Sequence, residues 1–312
     1  MANQILSVII PVINAEQTLP ELVDDLLKLQ TPPGWESEII AGYSESHDDT
    51  LRILEDRGIK VVTSSTVGPG AARNAAVEEA TGTYLYFIDS DARPVGDDFF
   101  FRLIDIASKL DDDGQFGGVG GPILLKPSQR RNPIALADHF ACWFNWSNER
   151  ADQDTLLFQP TVSLLMPRSV FDAVGGFDPK IRVLEDFEMQ ERVLNAGRKL
   201  YFRHDIAVTH RARGALLKSW RHSWYWGCPF RSVYFERVRD SRLVFRVDSG
   251  WFWLNLPFIY LRRMRLVLRS ALRESTWRTL LVLPFIAATV FSWSVAAVLG
   301  GGQPRQDQPH AA

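Results

Sequence analysis

The stretch Tyr84-Leu85-Tyr86-Phe87-Ile88-Asp89-Ser90-Asp91 decides the fold. An aromatic and aliphatic run ends abruptly in two carboxylates, one residue apart. A run that is continuously apolar and rich in β-formers reads as a buried central strand. Asp89 and Asp91 then stand at or just past its C-terminal end, where open α/β sheets bind their ligands. Two carboxylates this close repel one another unless a cation or a shared proton offsets the charge. A hard divalent cation, held by these carboxylates and by substrate phosphate oxygens, meets that need. A polar turn capping a strand is the alternative reading of an isolated Asp-x-Asp.

Upstream of this strand the pattern alternates. Ile5 to Val12 is an apolar, β-branched first strand. Thr18-Leu19-Pro20-Glu21 opens a helix with the Thr18 hydroxyl as its cap, and Leu19, Leu22, Val23, Leu26 and Leu27 share one face. Residues 38–42 form a second strand, Ser46-His47-Asp48-Asp49 caps a second helix that ends at Gly58, and residues 59–62 form a third strand. Gly68-Pro69-Gly70 opens a helix of small residues that ends near Gly82. Its first N–H groups could face an anion, with Arg73 and Asn74 one turn in. The dinucleotide fingerprint is not met, because Arg73 holds the third glycine's place. This alternation predicts an α/β fold with a parallel, doubly wound sheet.

Downstream, Phe99 to Leu110 reads as a helix, residues 117–122 as a loop or strand under close backbone approach, and Leu156 to Met166 as a strand. Gly175 to Asp178 reads as a turn, and residues 199–202 and 206–209 as strands, the last ending at His210. Val183-Leu184-Glu185-Asp186 leads into a helix with Asp186 near its N-terminus. A carboxylate there gains from the helix dipole, stays ionised and can act as general base; an ordinary cap is the alternative. The His210 imidazole is a candidate third metal ligand beside Asp89 and Asp91.

A length of 312 residues suggests one large domain or two modest ones, and 46% hydrophobic residues supply a substantial core. A net charge of −2 gives no reason to expect nucleic acid as partner. Cys142 and Cys228 lack metal-site spacing and read as buried thiols in a reducing compartment, with one disulfide as the alternative. Met1-Ala2-Asn3-Gln4 carries no basic region, so no signal peptide is expected.

In this order, Ser7-Val8-Ile9-Ile10-Pro11-Val12-Ile13-Asn14, Gly70-Ala71-Ala72-Arg73-Asn74, Asp89-Ser90-Asp91, Val174-Gly175-Gly176-Phe177-Asp178, Glu185-Asp186 and His210 resemble glycosyltransferase family 2, the inverting enzymes with the GT-A fold. The resemblance covers roughly residues 5–215 and implies a Rossmann-like nucleotide-diphospho-sugar transferase fold. It implies that Asp89 and Asp91 belong to a metal- and diphosphate-binding motif for Mn2+ or Mg2+. Asp186 would be the catalytic base, with Glu185 beside it shaping the acceptor site. Pro11, Val12, Ile13 and Asn14 would border the nucleoside; Tyr43, Arg73, Asn74 and Ser90 complete the expected donor side. Two departures stand out. Tyr43-Ser44-Glu45-Ser46 occupies the place of an Asp-Asp-Gly-Ser type segment, so the aspartate that contacts the nucleobase is missing. Many members also carry an aromatic residue where Ile13 stands. The segment Trp220 to Trp226 lies where processive members carry Gln-x-x-Arg-Trp and does not match it, which favours single-sugar transfer. Trp224 and Trp226 are the candidate acceptor-side residues.

The C-terminal end points to a membrane. Thr279 to Pro304 contains no charged residue, and Leu280 to Leu299 is long enough to cross a bilayer, which takes about 20 residues; a buried hairpin helix of a soluble protein is the alternative. Trp251 to Leu261 runs into Arg262-Arg263-Met264-Arg265 and Arg269, as an interfacial helix would. Arginines precede the long apolar segment and only Arg305 follows it, which places the catalytic part in the cytoplasm. The expected division is a catalytic domain over 1–215, an aromatic and basic region over 216–250, and a membrane region over 251–312. The last holds an interfacial helix at about 251–269, a spanning helix at about 280–299 and a polar tail. The expected activity is sugar transfer from a nucleotide-sugar to a glycan or lipid-linked acceptor. A non-catalytic nucleotide-sugar-binding scaffold and a nucleotidyltransferase on a similar sheet are the rivals.

Overall fold

A computed structural model of the chain describes residues 4–112, 114–235, 246 and 248–300. Met1-Ala2-Asn3, residues 236–245 and 247 of the connecting region, and the polar tail with Arg305 lie outside the described residues. The chain forms two compact units: Met1–Ile123 with Ala151–His210, and Leu124–Arg150 with Arg211–Ala312. The sequence reading left residues 124–150 inside the catalytic domain, whereas they fold with the second unit.

In the first unit the strands β1 (Gln4–Val12), β2 (Trp35–Tyr43), β3 (Lys60–Thr63), β4 (Tyr84–Ile88), β6 (Phe116–Gly120), β8 (Ser163–Pro167) and β9 (Lys199–Phe202) build a seven-stranded sheet. Its order is β3-β2-β1-β4-β8-β6-β9. The sheet is mixed rather than all-parallel: β8 runs antiparallel to both β4 and β6. Every residue of β4 is buried, as expected of an apolar run flanked by neighbours on both edges. A smaller sheet has the order β5-β10-β7, with β5 at Ala92–Pro94, β10 at Val208–His210 and β7 at Ile123–Leu125; β7 carries the chain from the first unit into the second.

The helices α1 (Leu19–Leu26), α2 (Thr50–Asp56), α3 (Pro69–Glu78), α4 (Phe99–Asp111), α6 (Arg168–Val174) and α7 (Glu185–Asn195) complete this unit. Helix α3 lies against β1, β2 and β3. It comes so close that a Cβ on Gly42 would stand 2.0 Å from the Ala72 carbonyl oxygen, which explains the small residues on both sides. The Thr18 side chain makes no capping bond. Strand β8 is shorter than expected, because residues before Ser163 leave the ladder; Leu156 N–H still donates to the Leu200 carbonyl at 2.9 Å.

The second unit is helical: α5 (Pro133–Trp143), α8 (Leu216–Gly227), α9 (Leu256–Glu274) and α10 (Thr276–Leu299). Asn132 caps α5 by accepting from the N–H groups of Ile134 and Ala135, with Pro133 in the first turn. Helix α10 packs against α5, α8 and α9. Leu136, Phe140, Val267, Val282, Ile286 and Val290 form one apolar core there. Phe235, Phe252, Ile259, Trp293 and Ala297 form another. Both cysteines are free. The interfacial helix expected at 251–269 begins and ends five residues later, at 256–274, and an extended Ser275 separates it from α10.

Candidate active site

The site lies at the C-terminal end of β4. There the chain turns sharply, with Ala92 N–H donating to the Asp89 carbonyl at 3.0 Å. Arg73 reaches this point from α3. Its Nη2 donates to Asp89 Oδ1 at 2.6 Å and its Nη1 to Glu185 Oε1 at 2.7 Å. The guanidinium is buried and stands 5.5 Å from the centre of the Phe177 ring. A buried arginine between two carboxylates holds both in place with a rigid, always charged fork. It joins the strand-end motif to the helix that carries Asp186. Gly70 permits this approach, since a Cβ there would meet Glu185 Cγ at 3.1 Å.

Asp186 is the second residue of α7. The cap is Leu184, held at φ 67°, a backbone region that leucine rarely occupies. The reading of Asp186 as an ordinary cap therefore fails. Its Oδ1 accepts from Phe187 N–H at 2.8 Å, and its Oδ2 faces the N–H and hydroxyl of Thr161 at 3.3 and 3.4 Å. Behind it Gln159 and Gln190 clasp each other: Gln159 N–H donates to Gln190 Oε1 at 2.8 Å, and Gln190 Nε2 donates to the Gln159 carbonyl at 2.6 Å. Gln159 fits only because Gly120 has no side chain; a Cβ there would lie 2.2 Å from Gln159 Nε2. The glycine-rich strand thus seats the glutamine that holds α7.

Burial pushes the carboxyl groups of both Glu185 and Asp186 above the ordinary carboxylate range. For Glu185 the adjacent Asp186 charge adds to the rise, while Arg73 opposes it. For Asp186, Arg73 and the N–H groups of Thr161 and Phe187 oppose it.

Asp91 and His210 meet across the small sheet, where Ala92 of β5 pairs with His210 of β10. His210 Nε2 lies 3.2 Å from Asp91 Oδ1, and the imidazole is buried. A carboxylate and an imidazole side by side are a donor set that suits Mn2+. Ser90 lies between the two aspartates, partly exposed. The structure thus brings Asp91 to His210 and Asp89 to Arg73.

On the donor side, Pro11 and Val12 end β1, and Ile13 and Asn14 follow it. Asn14 adopts φ 47° and is tied to the loop after β2: Ser46 Oγ accepts its N–H at 3.0 Å, and its Oδ1 accepts from His47 N–H at 2.9 Å. Tyr43 joins the same loop, its hydroxyl accepting from Ser46 N–H at 3.0 Å. The segment that lacks the family's aspartate is thus an ordered seam between two strand ends. Asn74 acts as a brace: its amide bonds both the N–H and the carbonyl of Phe177, at 3.0 and 2.8 Å. Trp224 and Trp226 sit on α8 in the second unit, Trp224 exposed and Trp226 with its ring 5.9 Å from that of His222.

The second unit holds Asp138, Cys142 and His222, a group of mixed side chains whose ligand atoms all lie within 4.8 Å of one another. Residue spacing concealed it, because Cys142 meets Asp138 one helical turn away and His222 from another helix. The carboxylate is already engaged, by the Ser219 hydroxyl at 2.7 Å and the Arg213 N–H at 3.0 Å. Burial holds the Cys142 thiol well above its usual range, in its protonated form. The group works as a polar lock between α5 and α8.

A mixed α/β sheet with carboxylates at the end of its central strand, linked through arginine to an acidic helix start, is the GT-A arrangement. Residues 7–175 match the profile of Glycosyl transferase family 2, and the chain belongs to that family. Among relatives, a poly(ribitol-phosphate) β-glucosyltransferase from Bacillus spizizenii is 36% identical over 126 residues, 37% of this chain and 20% of that one. A glycosyltransferase from Haloferax volcanii is 27% identical over 220 residues, 68% of this chain and 69% of that one. The chain spans a fifth or less of the length of the first curated relatives it matches. A mannosyltransferase from Pyrobaculum calidifontis, solved with GDP-Man and Mn2+, shares the fold at a TM-score of 0.58 and 16% identity, covering 94% of this chain and 86% of that one.

Proposed function

We propose that this chain transfers a sugar from a nucleotide-diphospho-sugar to an acceptor hydroxyl, on a glycan or lipid-linked saccharide, with inversion and one sugar at a time. The observation that carries this reading is the pair of ion bonds from buried Arg73 to Asp89 and Glu185, which couples the strand-end motif to the helix bearing Asp186. Family membership and the neighbour's complex with GDP-Man and Mn2+ support a nucleotide-sugar donor and a divalent cation. The name of the Bacillus spizizenii relative supports a polymeric hydroxyl acceptor.

Asp186 takes the acceptor's hydroxyl proton as that oxygen attacks the anomeric carbon. The bond from that carbon to the diphosphate breaks on the opposite face, and its electron pair leaves with the nucleoside diphosphate. Thr161 and Phe187 N–H hold the carboxylate and the Gln159–Gln190 pair holds its helix, so little reorganisation is needed during the reaction. Arg73 keeps Glu185 and Asp89 oriented. Asp91 and His210, with Asp89, would hold the divalent cation, which when bound neutralises charge on the departing diphosphate. The seam of Asn14, Tyr43 and Ser46 borders the nucleoside. Attachment through the arginine-rich second unit holds the catalytic unit at the anionic, cytoplasmic surface of a membrane.

Incubation with a panel of nucleotide-sugars, Mn2+ and lipid-linked or polymeric acceptors tests the reading. The expected products are a nucleoside diphosphate and a glycoside whose anomeric configuration by NMR is opposite to the donor's. Release of inorganic diphosphate, or retention of configuration, overturns it.

A further inference from the structure

Helix α10 is 24 residues long, its most apolar 18-residue window has a mean hydropathy of 2.0, and at about 1.5 Å per residue it reaches across a bilayer. Half of its most apolar window is nonetheless buried inside the protein. Helix α8 follows it closely. Ser219 lies 3.4 Å from the Thr289 hydroxyl, Ser292 donates to the Trp220 carbonyl at 3.1 Å, and Gly227 stands against the Trp293 carbonyl. Helices α5 and α9 pack on it as well. These partners carry charge: Asp138 on α5, Lys218 and Arg221 on α8, Arg263 and Arg269 on α9. A helix that crossed the bilayer with this packing intact would take those charges into hydrocarbon, where they are expensive.

The outer side of α10 has a different character. Trp277, Leu281, Phe291 and Leu299 fall on one side of the helix, each more than half exposed. On α9, exposed Leu261, Leu266 and Leu272 are interspersed with exposed Arg265, Arg269 and Arg273. Trp251 and Trp253 are exposed just ahead of it. From Leu256 to Leu299 six arginines stand against one acid, Glu274. Apolar and aromatic side chains set among arginines are the composition of a helix seated at an anionic lipid interface.

We propose that α9 and α10 attach the protein by lying in the plane of an anionic membrane surface, with α10 remaining packed in its helical unit rather than crossing the bilayer. This rests on the membrane reading above and fixes its geometry.

The test uses the full chain. Sedimentation with phosphatidylcholine vesicles, with and without phosphatidylglycerol, is expected to show binding that depends on the anionic lipid. The double variant Trp277→Glu/Leu281→Glu should lose at least tenfold in that binding with its helix content by circular dichroism unchanged. Single variants Thr276→Cys, at the start of α10, and Gln303→Cys, just past its end in the sequence, mark the two ends of α10. In right-side-out and inside-out membrane vesicles from expressing cells, a membrane-impermeant maleimide should label both ends from the same side, after subtraction of the parent signal. Labelling from opposite sides overturns the proposal in favour of a span. Indifference to lipid, with a dimer by light scattering that the double variant dissociates, overturns it in favour of a self-association face. Nucleoside diphosphate release measured on the same vesicles separates a failure here from a failure of the transfer reading.

Discussion

The two units depart from the ordinary partition of side chains in opposite senses. The first hides charge: Arg73, Glu185 and Asp186 are all buried. The second exposes oil: Trp251, Leu261, Trp277 and Leu281 all stand well out from its surface. Neither arrangement is what stability alone selects, since unpaired buried charge and large exposed apolar patches both raise the free energy of a soluble fold. The first unit offsets its departure internally: Arg73 pairs with Glu185 and Asp89, and Asp186 accepts from Phe187 N–H and faces Thr161. The second leaves its departure to be offset from outside, by lipid. A site that handles charged ligands and a surface that meets apolar ones are thereby recognisable from the same physical rule.

The largest expected effect separates the two units cleanly. Asp186→Asn should lower turnover on the order of 10² to 10⁴-fold, the usual share of a general base, with donor affinity and vesicle binding unchanged. A loss under about threefold at saturating substrates would leave the buried carboxylate a structural group. Arg73→Ala tests whether the buried charges are truly held by pairing. Removing one partner of a buried ion pair strands the others, and urea unfolding should show a loss of about 3 to 5 kcal/mol. A loss below about 1 kcal/mol would mean that water already reaches the pair. Asp138→Ala makes the equivalent cut in the second unit, where the carboxylate accepts from Ser219 and Arg213. The expected destabilisation is smaller, about 1.5 to 3 kcal/mol, because hydrogen bonds to a charged group rather than ion pairs are lost. An equal or larger loss than for Arg73→Ala would reverse the contrast.

The smallest effect is in pH dependence. Burial raises both carboxyl groups in the folded protein, so below the ordinary carboxylate pKa the folded state is favoured, and that advantage fades as pH rises through the raised values. The acid limb of turnover should therefore lie above the ordinary carboxylate range. Glu185→Gln removes a neighbouring negative charge and leaves Arg73 freer to favour ionised Asp186, so the limb should move to lower pH. A limb that stays put or moves upward would exclude Asp186 as the titrating base.

Much of the first unit is legible in the sequence because local pattern and global fold agree there. The β1-to-β4 alternation, the buried strand Tyr84–Ile88 and the helix starting at Glu185 all follow from periodicity and punctuation. Antiparallel β8 is not legible, since a buried apolar strand reads alike in either direction. Thr161, Gln159 and Gln190 are not legible because Thr161 meets Asp186, and Gln159 meets Gln190, only through tertiary contact. The nearest local signal was Gly120, whose need to be small becomes apparent once Gln159 is known to lie beside it. Asn74 read as a donor contact and proves to brace Phe177, because an amide signals polarity in the sequence but not its partner. Helix α10 was legible as apolar, but not as half-buried, because hydropathy does not say whether lipid or protein covers a side chain.

The most direct test of the account's centre is calorimetry of donor binding with and without Mn2+, on wild type and Asp91→Asn. The account predicts that the cognate nucleotide-sugar binds wild type more tightly with the metal, and that Asp91→Asn loses most of that gain while keeping its thermal stability. Donor binding indifferent to Mn2+, or undiminished in Asp91→Asn, would contradict it.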